Sequence, residues 1–142
     1  DANRLIDRIE CDILYIDPPY NTRQYITNYH LLETIARYDN PSVYGKTGLR
    51  SYTDAEKSAY CSRAGCLHAF AALISRAKAK HIIVSYNSEG IMSDAEIQDV
   101  LREKGEMPKL IPIDYRRFKS NSSGGFGDGQ SVREYLFYVQ TK

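Results

Sequence analysis

Tryptophan is absent from this 142-residue chain, and cysteine is scarce, at three residues. Three thiols in a chain of this size argue against a disulfide framework and fit a reducing cytoplasm. Long apolar runs are missing too: none approaches the roughly 18 to 20 residues that cross a bilayer as a helix. The opening residues show no signal-peptide pattern. Charge of one sign does not dominate, since 19 Lys and Arg stand against 18 Asp and Glu. A formal net charge of +1 neither demands nor excludes a polyanionic partner. With no internal repeat and no domain-splitting linker, the length reads as one domain, able to bury about 68% of its unfolded surface.

Tyrosine is plentiful, at twelve residues, and its amphipathic ring suits wet surfaces. Ile13 to Ile16 is a short apolar run of the kind expected of a parallel strand covered on both faces, and Pro18 and Pro19 stop it. A helix is predicted over Asn28 to Arg37, then a turn at Asn40-Pro41 and an aperiodic loop from Pro41 to Tyr52. Thr53 and Glu56 form a capping-box pattern, and Tyr60, Ala64, Leu67, Ala71 and Ile74 recur at helical spacing. This predicts one long helix with Arg76, Lys78 and Lys80 in its last turns, at the negative end of the dipole. His81 to Tyr86 reads as a second buried-type strand. Ser93 and Glu96 repeat the capping box, Ile97, Val100 and Leu101 give an apolar stripe, and Gly105 stops that helix. Lys109 to Phe118 and Arg133 to Gln140 read as strands joined by the glycine- and serine-rich stretch Ser120 to Ser131. No crossover helix fits between them, so they should be antiparallel neighbours. The expected class is α/β with an antiparallel edge.

Asp17-Pro18-Pro19-Tyr20 follows the first strand directly. An exocyclic amine on a heteroaromatic base is a poor nucleophile, because its lone pair is delocalised into the ring. Fixed acceptors for its two N–H groups favour the pyramidal, reactive form and stabilise the positive charge that develops. The Asp17 carboxylate and the Pro18 carbonyl are candidates for those acceptors, and consecutive prolines fix φ and hence the carbonyl direction. Tyr20 offers a ring for stacking an extruded base, worth roughly 1–3 kcal/mol. A base inside a duplex is out of reach, so flipping is implied. The bland alternative, a strand-ending turn without chemistry, is weakened by the strand standing where the chemistry needs it.

With these residues the chain resembles the catalytic half of the adenine-specific DNA methyltransferases, the bacterial restriction–modification enzymes that make N6-methyladenine. The resemblance runs from about Cys11 to Val139. It rests on Asp17-Pro18-Pro19-Tyr20-Asn21, Asn28-Tyr29-His30 with Glu33-Thr34, Val84-Ser85-Tyr86-Asn87, Tyr115-Arg116-Arg117 with Lys119-Ser120, and Glu134-Tyr135-Leu136-Phe137. It implies S-adenosylmethionine as methyl donor, double-stranded DNA as partner, no metal and a bacterial cytoplasmic setting. It also implies that positions Asp17 to Tyr20 hold the target adenine, within a seven-stranded Rossmann-like sheet ending in a reversed hairpin. The glycine-rich turn that the family's donor site needs after its first strand is not found here. Gly124-Gly125 and Gly127-Asp128-Gly129 lie between two expected strands rather than at the start of a helix. The expectation is therefore a fragment carrying the second half of the sheet, little active alone, whose Ile13–Ile16 strand is left as an edge and recruits another chain.

Thr22, Arg23, Gln24 and Tyr25 follow the motif and can reach a phosphate or flank a flipped base; a solvated loop is the competing reading. Asn87, where the second strand ends, can touch donor or base or merely turn the chain. Arg116, Arg117 and Lys119 look like a phosphate-contacting edge, against an ordinary charged strand end. His30 reads as a packing residue, because this reaction requires no dedicated base. Gly45-Lys46-Thr47 is not a phosphate loop, since Asn40 stands where its upstream glycine belongs. Cys61, Cys66 and His68, spread around and along a helix, do not gather one tetrahedral ion. Two other readings stay open: an amino-methyltransferase acting on cytosine N4 or on protein glutamine, and a non-catalytic DNA-binding module. The former enzymes typically carry Ser or Asn where this chain has Asp17.

Overall fold

The computed structural model describes residues 1–115 and 132–142. Helix α1 (Ala2–Leu5) and a 3-10 turn (Ile6–Arg8) precede strand β1 (Glu10–Ile16). Helices α2 (Tyr25–Asn28) and α3 (His30–Arg37) follow, then a small hairpin of β2 (Val43–Tyr44) and β3 (Leu49–Arg50) and two 3-10 turns, Asp54–Glu56 and Ala59–Cys61. Helix α4 (Cys66–Arg76), strand β4 (Lys78–Asn87), helix α5 (Asp94–Arg102) and strands β5 (Lys109–Tyr115) and β6 (Val132–Gln140) complete the order.

The main sheet runs β1-β4-β6-β5. β1 is parallel to β4, with Ile16 opposite Val84. β6 is antiparallel to both of its neighbours, so Phe137 lies between Val84 and Leu110. The expected antiparallel pair is present, with the last strand inside and β5 at the rim. Composition explains that order: Phe137 and Val139 are fully buried, whereas Pro112 in β5 has no N–H for a second neighbour and suits an edge.

One face of the sheet carries the core. Phe70, Leu73 and Ile74 of α4 and Ile97 and Leu101 of α5 pack on Ile16, Ile82, Val84, Tyr86, Phe137 and Val139. Residues on the opposite face alternate with these. There Ile13, Tyr15, Ile111 and Ile113 are 60%, 59%, 50% and 43% exposed, and the register sets Ile83, Leu136 and Tyr138 among them. The expectation that β1 is covered on both faces is thus corrected: α4 and α5 pack on the same side, and no described element covers the other. β1 is also a sheet edge among the described residues, since it pairs only with β4.

Four further expectations change. The helix over Asn28 to Arg37 is two helices, broken at Tyr29 (φ −116°, ψ 32°). The loop from Pro41 to Tyr52 contains the β2–β3 hairpin. The capping box at Thr53 and Glu56 forms, but on a 3-10 turn, and the α-helix starts only at Cys66. Ser58 is the reason: its N–H goes to the Gln24 side chain and its hydroxyl caps the next turn, so the helical ladder is interrupted. Lys78 and Lys80 accordingly belong to β4 and leave Arg76 as the only cation in the last turn of α4. Finally, α5 ends at Arg102, before Gly105, which instead bridges to Thr141. A Cβ on Gly105 would lie 2.0 Å from the Gln140 carbonyl, so close approach is what requires glycine there. The strand expected to reach Phe118 is described to Tyr115, and the stretch Ser120 to Ser131 lies outside the described residues.

The segment between α3 and α4 is tied down by charge. Arg50, 3% exposed, grips Asp39 with both terminal nitrogens at 2.6 and 3.2 Å and reaches the Thr34 hydroxyl at 3.2 Å. Arg37 bonds Glu33 at 2.7 Å and Glu56 at 2.5 Å. The Thr53 backbone N–H, the Arg37 guanidinium and the Thr53 hydroxyl together hold the Glu56 carboxyl down at about 2, against an ordinary 4.5. A depressed folded-state value means this contribution to stability is present above the unfolded value near 4.5 and lost as pH falls toward 2. Residues 53–57 should therefore stay ordered to well below pH 4.5 and loosen near pH 2. A carboxyl titration of Glu56 by NMR, with exchange of the Thr53 amide, tests this; a midpoint at the ordinary value would refute it.

Candidate active site

Parallel pairing brings the carboxyl ends of β1 and β4 to one edge of the sheet, where α/β proteins open their crevices. Asp17-Pro18-Pro19-Tyr20 leaves β1 there, and the turn from Asn87 to Met92 leaves β4 beside it. Pro18 is buried and Pro19 half-buried, while Asp17 is exposed and Tyr20 is 43% exposed. The prolines thus anchor the turn, and the Asp17 and Tyr20 side chains stand outward. No hydrogen bond or ion pair from another described residue engages the Asp17 carboxylate. It remains an open acceptor.

The turn is fixed from both sides. The Tyr20 carbonyl accepts from the Ile91 N–H at 2.9 Å. Asn21 Oδ1 accepts from the Arg23 N–H at 2.9 Å, an Asx turn that leaves the Arg23 side chain exposed. Tyr25, the first residue of α2, meets Tyr29 edge to face at a centroid distance of 5.3 Å. Partial burial pushes the Tyr25 phenol up, and the Asp17 charge adds to it, ahead of Tyr29, Cys61 and Tyr20. Tyr25 is therefore an electrostatic neighbour of the motif carboxylate.

Asn87 is 8% exposed, and its amide is engaged at both ends. Nδ2 donates to Glu134 Oε1 at 2.8 Å and Oδ1 accepts from the Glu89 N–H at 2.8 Å. In this structure it shapes the turn after β4. Two residues of that turn escaped sequence reasoning. Ile91 acts through its backbone, which no side-chain pattern reveals. Gly90 lies against the buried Tyr86 ring, where a Cβ would fall 2.1 Å from Cε1; the Ser-Glu-Gly turn composition was the available signal. The Tyr86 hydroxyl in turn accepts from the Met92 N–H at 3.2 Å, completing the buttress under Tyr20.

Asp17, Pro18, Tyr20, Asn21, Tyr25 and Asn87 thus share the carboxyl edge of the sheet. Arg116, Arg117 and Lys119 lie outside the described residues. His30 opens α3, and its carbonyl accepts the Thr34 hydroxyl. Gly45-Lys46-Thr47 lies within the β2–β3 connection, with no helix opening behind it. Cys61 donates to the Arg23 carbonyl and Cys66 contacts the Arg63 carbonyl. Among the described residues no helix is long and apolar enough to cross a membrane.

Residues 1–100 match the family model described as D12 class N6 adenine-specific DNA methyltransferase. The chain belongs to this family. It is 49% identical over 142 residues to the type II methyltransferase M.FokI of Planomicrobium okeanokoites, covering 99% of this chain and 21% of that protein. Identity to the type II methyltransferase M.NlaIII of Neisseria lactamica is 47% over 141 residues, covering 99% of this chain and 41% of that protein. To the modification methylase StsI of Streptococcus sanguinis it is 39% over 144 residues, covering all of this chain and 21% of that protein. The D12 chain therefore spans between about a fifth and two fifths of these relatives. No solved structure matches it.

A D12 chain with Gly90→Ala should lose the seat of Tyr20, because the added methyl displaces either the Tyr86 ring or the turn. Amide hydrogen exchange at Ile91 should rise at least about ten-fold, the equivalent of one weakened hydrogen bond. Unchanged protection would show that the turn tolerates the methyl group.

Proposed function

We propose that the chain is the catalytic half of a DNA adenine N6-methyltransferase domain of the restriction–modification type. It acts on an adenine flipped out of double-stranded DNA, with S-adenosylmethionine as donor, in a bacterial cytoplasm. The observation that carries this reading is the exposed Asp17 carboxylate, followed by buried Pro18 and the exposed Tyr20 ring at the carboxyl edge of the sheet.

The chain's own groups do the following. Asp17 and the Pro18 carbonyl accept the two N–H groups of the target amine, localise its lone pair and stabilise the charge that develops on nitrogen. Tyr20 stacks on the base. Pro18 and Pro19 keep both acceptors in place before the base arrives, so little reorganisation is needed during reaction. When bound, the sulfonium donor supplies an electrophilic methyl group. Transfer would form the N–CH3 bond as the donor's S–CH3 bond breaks, releasing a neutral thioether and giving the amine's surplus proton to solvent, so the enzyme needs no nucleophilic side chain. Asp17 offers an acceptor and Asn87 an amide to the donor as well, a polar fit with a cationic, amino-acid-bearing ligand. Asn87 does so with what its bonds to Glu134 and Glu89 leave free. Asn21, Arg23 and Tyr25 flank the motif and face the nucleic acid, and Arg116, Arg117 and Lys119 add phosphate contacts.

Two features support reading the sheet as the second half of a Rossmann-like domain. Among the described residues β1 has a free edge, and one sheet face exposes Ile13, Tyr15, Ile111 and Ile113. Further polypeptide, of which the relatives have more, would cover both and supply the glycine-rich donor turn.

In the full-length enzyme, Asp17→Ala should lower the turnover number about 10²- to 10³-fold, the usual effect of removing one preorganised charge stabiliser. Product analysis should give N6-methyladenine; N4-methylcytosine or methylated glutamine would redirect the reading, and near-normal turnover of the variant would end it. Residues 1–142 alone should show little transfer and should self-associate with rising concentration. Analytical ultracentrifugation with Ile13→Lys, which charges the open face, should shift the fragment toward monomer. A monodisperse monomer at all concentrations would contradict a sticky edge and face.

A further inference from the structure

The loop that follows the motif is held from a distance. Ser58 donates its N–H to Gln24 Oε1 at 2.8 Å, and Gln24 Nε2 returns a bond to the Ser58 carbonyl at 3.4 Å. This two-point pairing imitates one rung of a β-ladder across 34 residues of sequence. Beside it, Cys61 Sγ donates to the Arg23 carbonyl at 3.3 Å, across 38 residues. Gln24 precedes α2 at the N-cap position yet makes no side-chain cap bond to that helix. Ser, Thr, Asp or Asn would cap better. The longer amide is used instead to reach Ser58.

The partner segment stands on fixed ground. Glu56 is bound by Arg37 at 2.5 Å, and Arg50 clamps Asp39 and Thr34. The pairing therefore transmits the position of residues 51–61 to Arg23 and Gln24, and the next residue is Tyr25. The Tyr25 ring rests on Tyr29, and its hydroxyl lies in the field of Asp17.

We propose that Gln24 is a positioning residue: through Ser58 it holds the post-motif loop so that Tyr25 walls the base site beside Asp17, and residues 51–61 serve as the brace. The inference rests on the reading of Asp17 to Tyr20 as the base-binding site. Gln24 touches neither base nor donor; its effect passes through Tyr25. Losing both bonds lets the loop drift, so the flipped base is caught less often while donor binding is untouched.

The test uses the full-length methyltransferase and DNA carrying 2-aminopurine at the target position, whose fluorescence rises when the base leaves the stack. Gln24→Ala should raise the KM for DNA about ten-fold, as expected for the loss of one or two hydrogen bonds. It should dim the flipped-base fluorescence and leave the KM for the donor unchanged. Gln24→Glu keeps the acceptor for the Ser58 N–H and loses the donor, so it should recover part of both effects. If Gln24→Ala fails to fold, Cys61→Ala, which releases the Arg23 carbonyl, should show the same pattern more weakly. Wild-type fluorescence and KM for DNA in these variants would overturn the proposal. Equal loss of donor and DNA binding would also overturn it, as the mark of general destabilisation. Asp17→Ala in the same assay separates the two readings. If Asp17 proves dispensable, the base-binding site is wrong; if only the Gln24 variants behave as wild type, the brace alone is wrong.

Discussion

Strands β1 and β4 share a parallel ladder that runs from Glu10 opposite Lys78 to Ile16 opposite Val84, and this ladder determines where Asp17-Pro18-Pro19-Tyr20 leaves the sheet. Side chains alternate with a period of two, so the register selects which half of β1 goes under the helices. As built, Leu14 and Ile16 point to α4 and α5, while Ile13 and Tyr15 point away. A slip of one residue would exchange the two sets and withdraw Asp17 from the edge it shares with the turn after β4. Burying that carboxylate without a partner would be costly. The apolar contacts of Ile16 with the core therefore also keep a charge outside it.

Rigidity at the edge comes from contacts that each engage a main-chain group. The Ile91 N–H holds the Tyr20 carbonyl, the Tyr86 hydroxyl holds Met92, and Asn87 closes its own turn with Glu89. Across the motif, Ser58 and Cys61 hold Gln24 and the Arg23 carbonyl. Acceptors that stabilise charge only as it develops must be set before reaction, and neighbours of this kind set them. The motif is thus held in a fixed direction by two distant segments, the turn after β4 and residues 58–61.

Some of this was legible in the sequence. The strand leading into Asp17, the box at Ser93 with Glu96, and the antiparallel last pair all follow from local patterns, because short-range hydrogen bonds and periodic burial determine them. Failures occurred where a distant partner intervened. Thr53 and Glu56 cap as their pattern says, yet Ser58 gives its N–H to Gln24 and no long helix can follow. Gly105 looks like a helix stop and is instead a point of close approach to Gln140. The run Ile13 to Ile16 is apolar at every position, so it cannot report which face has a cover. At the candidate site, Asp17 and Tyr20 could be named from residue type. Gly90 and Ile91 could not, since their role depends on the Tyr86 ring and on a main-chain N–H.

Arg50 carries a consequence for anyone grafting this region onto another scaffold. Its forked grip on Asp39 is two-pronged, with the guanidinium buried and the carboxylate open to solvent, and a third bond goes to Thr34 on helix α3. Lysine, a single point charge, would not reproduce that geometry. The hairpin and its helix are in effect one cassette: transplanting the hairpin without Thr34 and Asp39 would strand a cation in a nearly waterless niche.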